Sequence, residues 1–149
     1  MKFSHNLKKM ILLFTLSGGI WVSAQHSIIS SKELPANTQK FISRNFANHQ
    51  IAHAQKESKV GIVHEYEVTL NDGTQLEFYR DGSWKEMKNK QNGIALNLVP
   101  KKISSYIQQK FPKTFVTKIE RERYAYKVDL SNGLDLEFNS DGDFKRIDD

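Results

Sequence analysis

The chain contains no cysteine. Small exported domains often lean on disulfides, so this one must hold together through its core alone. The same absence removes a lipid-bearing cysteine, a thiol nucleophile and thiolate metal ligands. Long hydrophobic runs are also missing: the apolar stretch from Met10 to Ile20 is about eleven residues, against the ~20 needed to cross a bilayer. A strong excess of either charge is absent as well. There are 22 Lys+Arg against 17 Asp+Glu, but Lys2, Lys8 and Lys9 lie in the N-terminal segment, leaving 19 against 17 beyond it. No basic run remains to track phosphates, so no nucleic-acid partner is expected. Phosphate-binding glycine loops, Walker sequences and G-x-S-x-G elbows do not occur. No catalytic residue is assigned, and the chain reads as a non-enzyme without a cofactor.

What is present begins with a three-part export signal. Lysines precede the apolar run, and Val22-Ser23-Ala24 offers small residues at −3 and −1. Residues 1–24 are expected to be a signal peptide, cleaved between Ala24 and Gln25, with no integral membrane segment after its removal. The mature protein is then exported, and periplasmic if the cell has an outer membrane.

The remainder is written twice. Tyr66–Phe78 returns as Tyr126–Phe138, and Asp81-Gly82-Ser83-Trp84-Lys85 returns as Asp141-Gly142-Asp143-Phe144-Lys145. Each copy should be one supersecondary unit that buries its apolar face against its neighbour. Leu34-Pro35 and Val99-Pro100 open the copies at helix starts. Thr38, Phe41, Ile42, Asn45 and Phe46 then share a helical face, as do Ile103, Tyr106, Ile107 and Phe111. Pro112 should stop the second helix at Phe111. After each helix the period becomes two, with Tyr66, Val68 and Leu70 matched by Tyr126, Val128 and Leu130. Turns follow at Asn71-Asp72-Gly73 and Ser131-Asn132-Gly133, and again at Asp81-Gly82 and Asp141-Gly142. Leading strands are expected over Ile51–Glu57 and Val116–Glu122. The copies are offset by 65 residues through the helices and 60 through the strands, so copy one carries five extra residues near Ser58–His64. The expected fold is α+β: two tandem helix-plus-four-strand repeats, 34–88 and 99–148, joined by a polar linker over 89–98. Their antiparallel sheet should carry both helices on one face. A single copy is small for an independent core, so the copies are expected to share a sheet or core.

Helix, hairpin with an N/D-G turn, then D-G-x-W/F-K, repeated behind an export signal, resembles the PepSY-like, putative β-lactamase-inhibitor-like family of exported bacterial proteins. The matching stretches are Tyr66–Phe78 with Asp81–Met87 and Tyr126–Phe138 with Asp141–Ile147; with the helices, the likeness runs from Leu34 to Ile147. It implies tandem helix-plus-sheet modules forming a curved sheet that could grip another protein. It supplies no catalytic residue.

Three groups of residues are candidates for chemistry. His26, His49, His53 and His64 cluster in or before copy one, and His49-x-x-x-His53 has the spacing zinc sites use on a helix. That helix should already have ended, however, so the histidines read as surface residues and no metal ligand is assigned. Asp72, Asp81, Asp141 and Asp143 read as turn formers, because Asp side chains hydrogen-bond nearby backbone. The third group is aromatic. Tyr79 should point outward beside Gln75 and Glu77, while Trp84 and Phe144 lie out of phase with Met87 and Ile147 unless the strand bulges. Aromatics among charges suit protein-binding surfaces, so Tyr79, Trp84 and Phe144 are the candidate binding residues. The leading expectation is a non-catalytic exported binding module that engages a protein or peptide partner in the cell envelope through its open sheet face. The alternative is a small-ligand or metal-binding envelope protein using His49, His53 and His64. Oligomeric state is not fixed by the sequence.

Overall fold

The computed structural model describes residues 23–148, so the expected signal peptide lies almost wholly outside the described residues. In chain order the elements are β1 (Gln25–Ile28), α1 (Ala36–Asn45), β2 (Ile51–Lys59), β3 (Ile62–Leu70), β4 (Gln75–Tyr79) and β5 (Trp84–Lys88). Then come α2 (Lys101–Lys110), β6 (Val116–Arg121), β7 (Ala125–Leu130), β8 (Asp135–Asn139) and β9 (Phe144–Asp148). The strands form one sheet in simple chain order, every pairing antiparallel. Among the described residues no helix is long and apolar enough to cross a membrane.

The helices begin and end where their sequences dictate. Pro35 and Pro100 are the N-cap residues, and α2 stops before Phe111, whose conformation Pro112 restricts. The helices bury Thr38 and Ile42, and Ile103, Ser104 and Ile107, the 3–4 spacing of a helix with one covered stripe. In the strands, Val68, Leu76, Phe78, Val128, Leu136 and Phe138 are at most 1% exposed. Phe41 of α1 meets the Phe78 ring edge-on at 5.7 Å, and Tyr106 of α2 meets Phe138 likewise at 5.5 Å.

The two copies meet at β5 and β6, where Glu86, Met87 and Lys88 pair with Glu120, Ile119 and Lys118. Met87 and Ile119 are both fully buried, and the apolar core runs without a break from Leu34 to Phe138. The polar stretch between the copies packs against the sheet. Asn89 is buried; its amide donates to Thr74 Oγ1 at 2.9 Å and its oxygen accepts from the backbone N–H groups of Gln91 and Asn92. Behind it, Ile94 and Val99 enter the core.

Two features go beyond the expectation. The five extra residues lengthen β2 and β3 to nine residues each, against six in β6 and β7. The added length gives β1 a strand to pair with, from Gln25 opposite Ser58 to Ile28 opposite Gln55. That strand was not expected, because its four residues are all exposed and carry no alternation to read. Second, both β4–β5 and β8–β9 contain a bulge. Glu77 lies opposite Glu86 but Phe78 lies opposite Trp84, leaving Lys85 as the extra residue, and Lys145 is extra in the same way.

Candidate functional site

Strand alternation leaves one sheet face to polar residues. Glu65, Glu67, Glu77 and Tyr79 lie on the side away from Val68, Leu76 and Phe78. Continuing outward by register are Glu86, Glu120, Lys118, Lys127, Asp129, Asp135, Glu137 and Arg146. Carboxylates outnumber cations on this face, although the chain beyond residue 24 is slightly basic. The basic surplus is carried in part by the helices: neither contains an acidic residue, while Lys40, Arg44, Lys101, Lys102 and Lys110 lie on them.

Neutralisation is uneven across the face. The bulge turns the Lys85 ammonium onto both Glu65 oxygens, at 2.8 and 2.9 Å, and onto Glu77 at 3.1 Å. Burial opposes its charge, but the two carboxylates outweigh it and hold its pKa above the ordinary lysine value. In copy two, Lys145 and Arg146 hold Glu137, whose pKa is lowered chiefly by the Lys145 hydrogen bond despite the opposing effect of burial. At the junction between copies the balance fails. Among the described residues, only Lys118 comes within 4 Å of Glu86, Glu120 and Asp129, at 3.8, 3.8 and 3.9 Å, with Lys88 further off beside Glu86 and Asp129. Burial, with Glu77 adding, raises the pKa of Glu86; burial, with Asp135 adding, raises that of Asp129; Lys118 and Lys88 together only partly offset either. The middle of the face is therefore short of positive charge. None of Glu86, Lys118 or Asp129 stood out in the sequence, since their meeting depends on the β5–β6 register.

The aromatic candidates do not form one patch. Tyr79 does lie on the open face, and its hydroxyl donates to the Arg121 carbonyl at 2.5 Å, bridging β4 to β6 past β5. Burial raises its pKa. Trp84 and Phe144, out of phase with Met87 and Ile147 in the sequence, lie opposite the core residues Phe78 and Phe138 because each strand bulges. Trp84 is half-buried, 6.4 Å from the Tyr126 ring, with the Arg121 guanidinium 4.7 Å from its own. Arg121 Nη2 also donates to the Trp84 carbonyl at 2.6 Å. Phe144 stacks on Tyr106 at 4.8 Å and meets Phe138 edge-on.

The histidines likewise disperse. His49 Nε2 lies 3.3 Å from Asp72 Oδ2, His53 is exposed near Gln55, and His64 is exposed. The turn aspartates do what turn formers do: Asp72 accepts from Thr74 and Asp81 from Ser83. A cleft of about 390 Å³ opens between α1 and β2, lined by the apolar Ile42, Phe46 and Ile51 and the polar Lys32, Gln39 and His49 among others.

This architecture has relatives. The family described as "Putative beta-lactamase-inhibitor-like, PepSY-like" matches residues 14–63 and 64–146. The chain belongs to this PepSY-like family. No curated protein matches it. A solved structure from Bacteroides thetaiotaomicron, described as a "putative calcium-regulated periplasmic protein", is 31% identical with a TM-score of 0.78, covering 83% of this chain and 97% of that one. A "putative periplasmic protein" from Bacteroides vulgatus is 30% identical with a TM-score of 0.77, covering 84% and 98%. Another from the same organism, of unknown function, is 28% identical with a TM-score of 0.77, covering 85% and 100%. All three are periplasmic by description, and this PepSY-like chain is an exported, periplasmic protein of the same kind.

Proposed function

We propose that the protein is a non-catalytic binding module of the cell envelope that engages a cationic protein or peptide through its open sheet face. In this reading the two tandem repeats, 34–88 and 99–148, place both helices on the other face. The observation that carries it is the under-neutralised centre of the open face, where Glu86, Glu120 and Asp129 crowd around Lys118 and burial still raises Glu86 and Asp129 despite Lys118 and Lys88. Burying carboxylates with too few cations costs folding free energy. A partner that brings Lys or Arg recovers that cost on binding and is steered to the face by its field. Tyr79, a rigid ring among these charges, is the outward aromatic suited to anchor contact.

A photo-cross-linking side chain at Glu77, on the open face, is expected to give a discrete adduct with an envelope protein in cells, weakened by added salt. The same probe at Lys40, on α1, is expected to give none. An adduct formed only from Lys40 would overturn the choice of face.

A further inference from the structure

We propose that His26, Glu57 and Glu67 form a binding site for a divalent transition-metal ion of the zinc type, one that clips β1 to the sheet. This does not rest on the partner reading above. Each residue comes from a different strand, β1, β2 and β3. His26 lies opposite Glu57, and Glu67 lies opposite Gln55, two residues along β2, so all three share one sheet face. Their ligand atoms lie within 4.8 Å of one another, and His26 Nδ1 is 3.7 Å from Glu67 Oε1. Donors on one zinc ion lie at most about 4 Å apart, so a small side-chain rotation closes the set.

The repeat supplies an internal comparison. The copy-two counterparts of Glu57 and Glu67 are Glu122 and Lys127, and these form a direct ion pair at 2.9 Å. Copy one has a carboxylate where copy two has that lysine, which leaves two carboxylates on a diagonal of the same face. Lys59 answers one of them, holding Glu57 Oε1 at 3.1 Å. Gln55 Nε2 donates to Glu67 Oε2 at 2.5 Å, which fixes the carboxylate with its other oxygen towards His26. Orienting contacts of this sort are what metal-ligating carboxylates have around them.

Donor chemistry selects the ion. One imidazole nitrogen with two carboxylates suits zinc and its neighbours, whereas calcium and magnesium take oxygen ligands. Water completes a four-coordinate shell. The structural consequence falls on β1, a four-residue edge strand whose residues are all exposed and which has no counterpart in copy two. A metal bond to His26 ties that strand to the two behind it.

The test titrates the mature exported protein, stripped by chelator, with zinc chloride in a calorimeter, alongside His26→Ala, Glu67→Lys and His53→Ala. The wild type and His53→Ala are expected to take up one saturating equivalent. His26→Ala and Glu67→Lys are expected to bind at least about tenfold more weakly. Glu67→Lys recreates the copy-two ion pair with Glu57, so an unchanged melting temperature certifies its fold. Zinc should also slow amide exchange across β1 in the wild type and leave it unchanged in Glu67→Lys. Absence of saturable binding, or equal binding by both ligand variants, overturns the site. Loss of binding in His53→Ala also overturns it by moving the ligand elsewhere.

Discussion

Trp84→Ala is expected to cost about 2–4 kcal/mol of stability, and Phe144→Ala clearly less, although the repeat makes the two positions equivalent. The difference lies in the neighbour beyond each strand. Past β5 the sheet continues, so the Trp84 ring is enclosed by Tyr126 and Arg121 from copy two. Removing it empties a site at the junction and takes away the surface against which Arg121 packs. Past β9 the sheet ends, and Phe144 remains 36% exposed over Tyr106 and Phe138. Urea unfolding of both variants measures the difference. Equal losses, or a silent Trp84→Ala, would show that the junction contributes nothing beyond the repeat itself.

Gly82→Ala should be comparably damaging, at about 2–4 kcal/mol. Gly82 has φ +80°, and an added Cβ would sit 2.8 Å from Pro35 Cβ and 3.1 Å from both Asn37 Cβ and Thr38 Oγ1. The start of α1 docks directly on this turn: Thr38 Oγ1 donates to the Gly82 carbonyl and Asn37 Nδ2 to that of Asp81. The helix must move or the turn must change. Gly142→Ala meets mainly the side chain of Lys102, at 3.2 Å, and should cost less. Thermal melts of the pair report whether the helix start or the backbone conformation dominates. Equal losses would assign the whole effect to backbone strain.

The residues that are legible in the sequence are those whose role is local. Val68, Leu70, Leu76 and Phe78 announce strands by alternation, and Pro112 announces a helix end by sterics. The α+β class, two helices with an antiparallel sheet, comes from such signals. Residues whose role depends on a distant strand are not legible. The bulge at Lys85, which reverses the phase of Trp84, shows in the sequence only as a conflict with Met87. The β5–β6 register that gathers Glu86, Lys118 and Asp129 has no signature, because charged outward positions look alike before their neighbours are known. His26 is plain in the sequence but its strand is not, so its nearness to Glu57 and Glu67 cannot be read there. Seam residues also break the repeat: Tyr79 reaches across to Arg121, whereas its counterpart Asn139 turns back to cap the Asp141–Asp143 turn.

The most direct test of open-face binding uses the two carboxylates whose ionisation folding disfavours. Glu86 and Asp129 have folded-state pKa values above those of ordinary carboxylates. Between the ordinary and the raised value the folded state binds more protons, so their contribution to stability falls as pH rises through that window, and at neutral pH they carry a standing penalty. Glu86→Gln/Asp129→Asn should therefore melt no lower than wild type at pH 7. The decisive measurement is capture of the envelope partner by the wild type, by this double variant and by Lys101→Gln/Lys102→Gln on the helix side. The expected result is that the double variant keeps its stability and loses the partner, while the helix-side variant keeps both. Undiminished capture by Glu86→Gln/Asp129→Asn, or loss of capture by the helix-side variant alone, would contradict it.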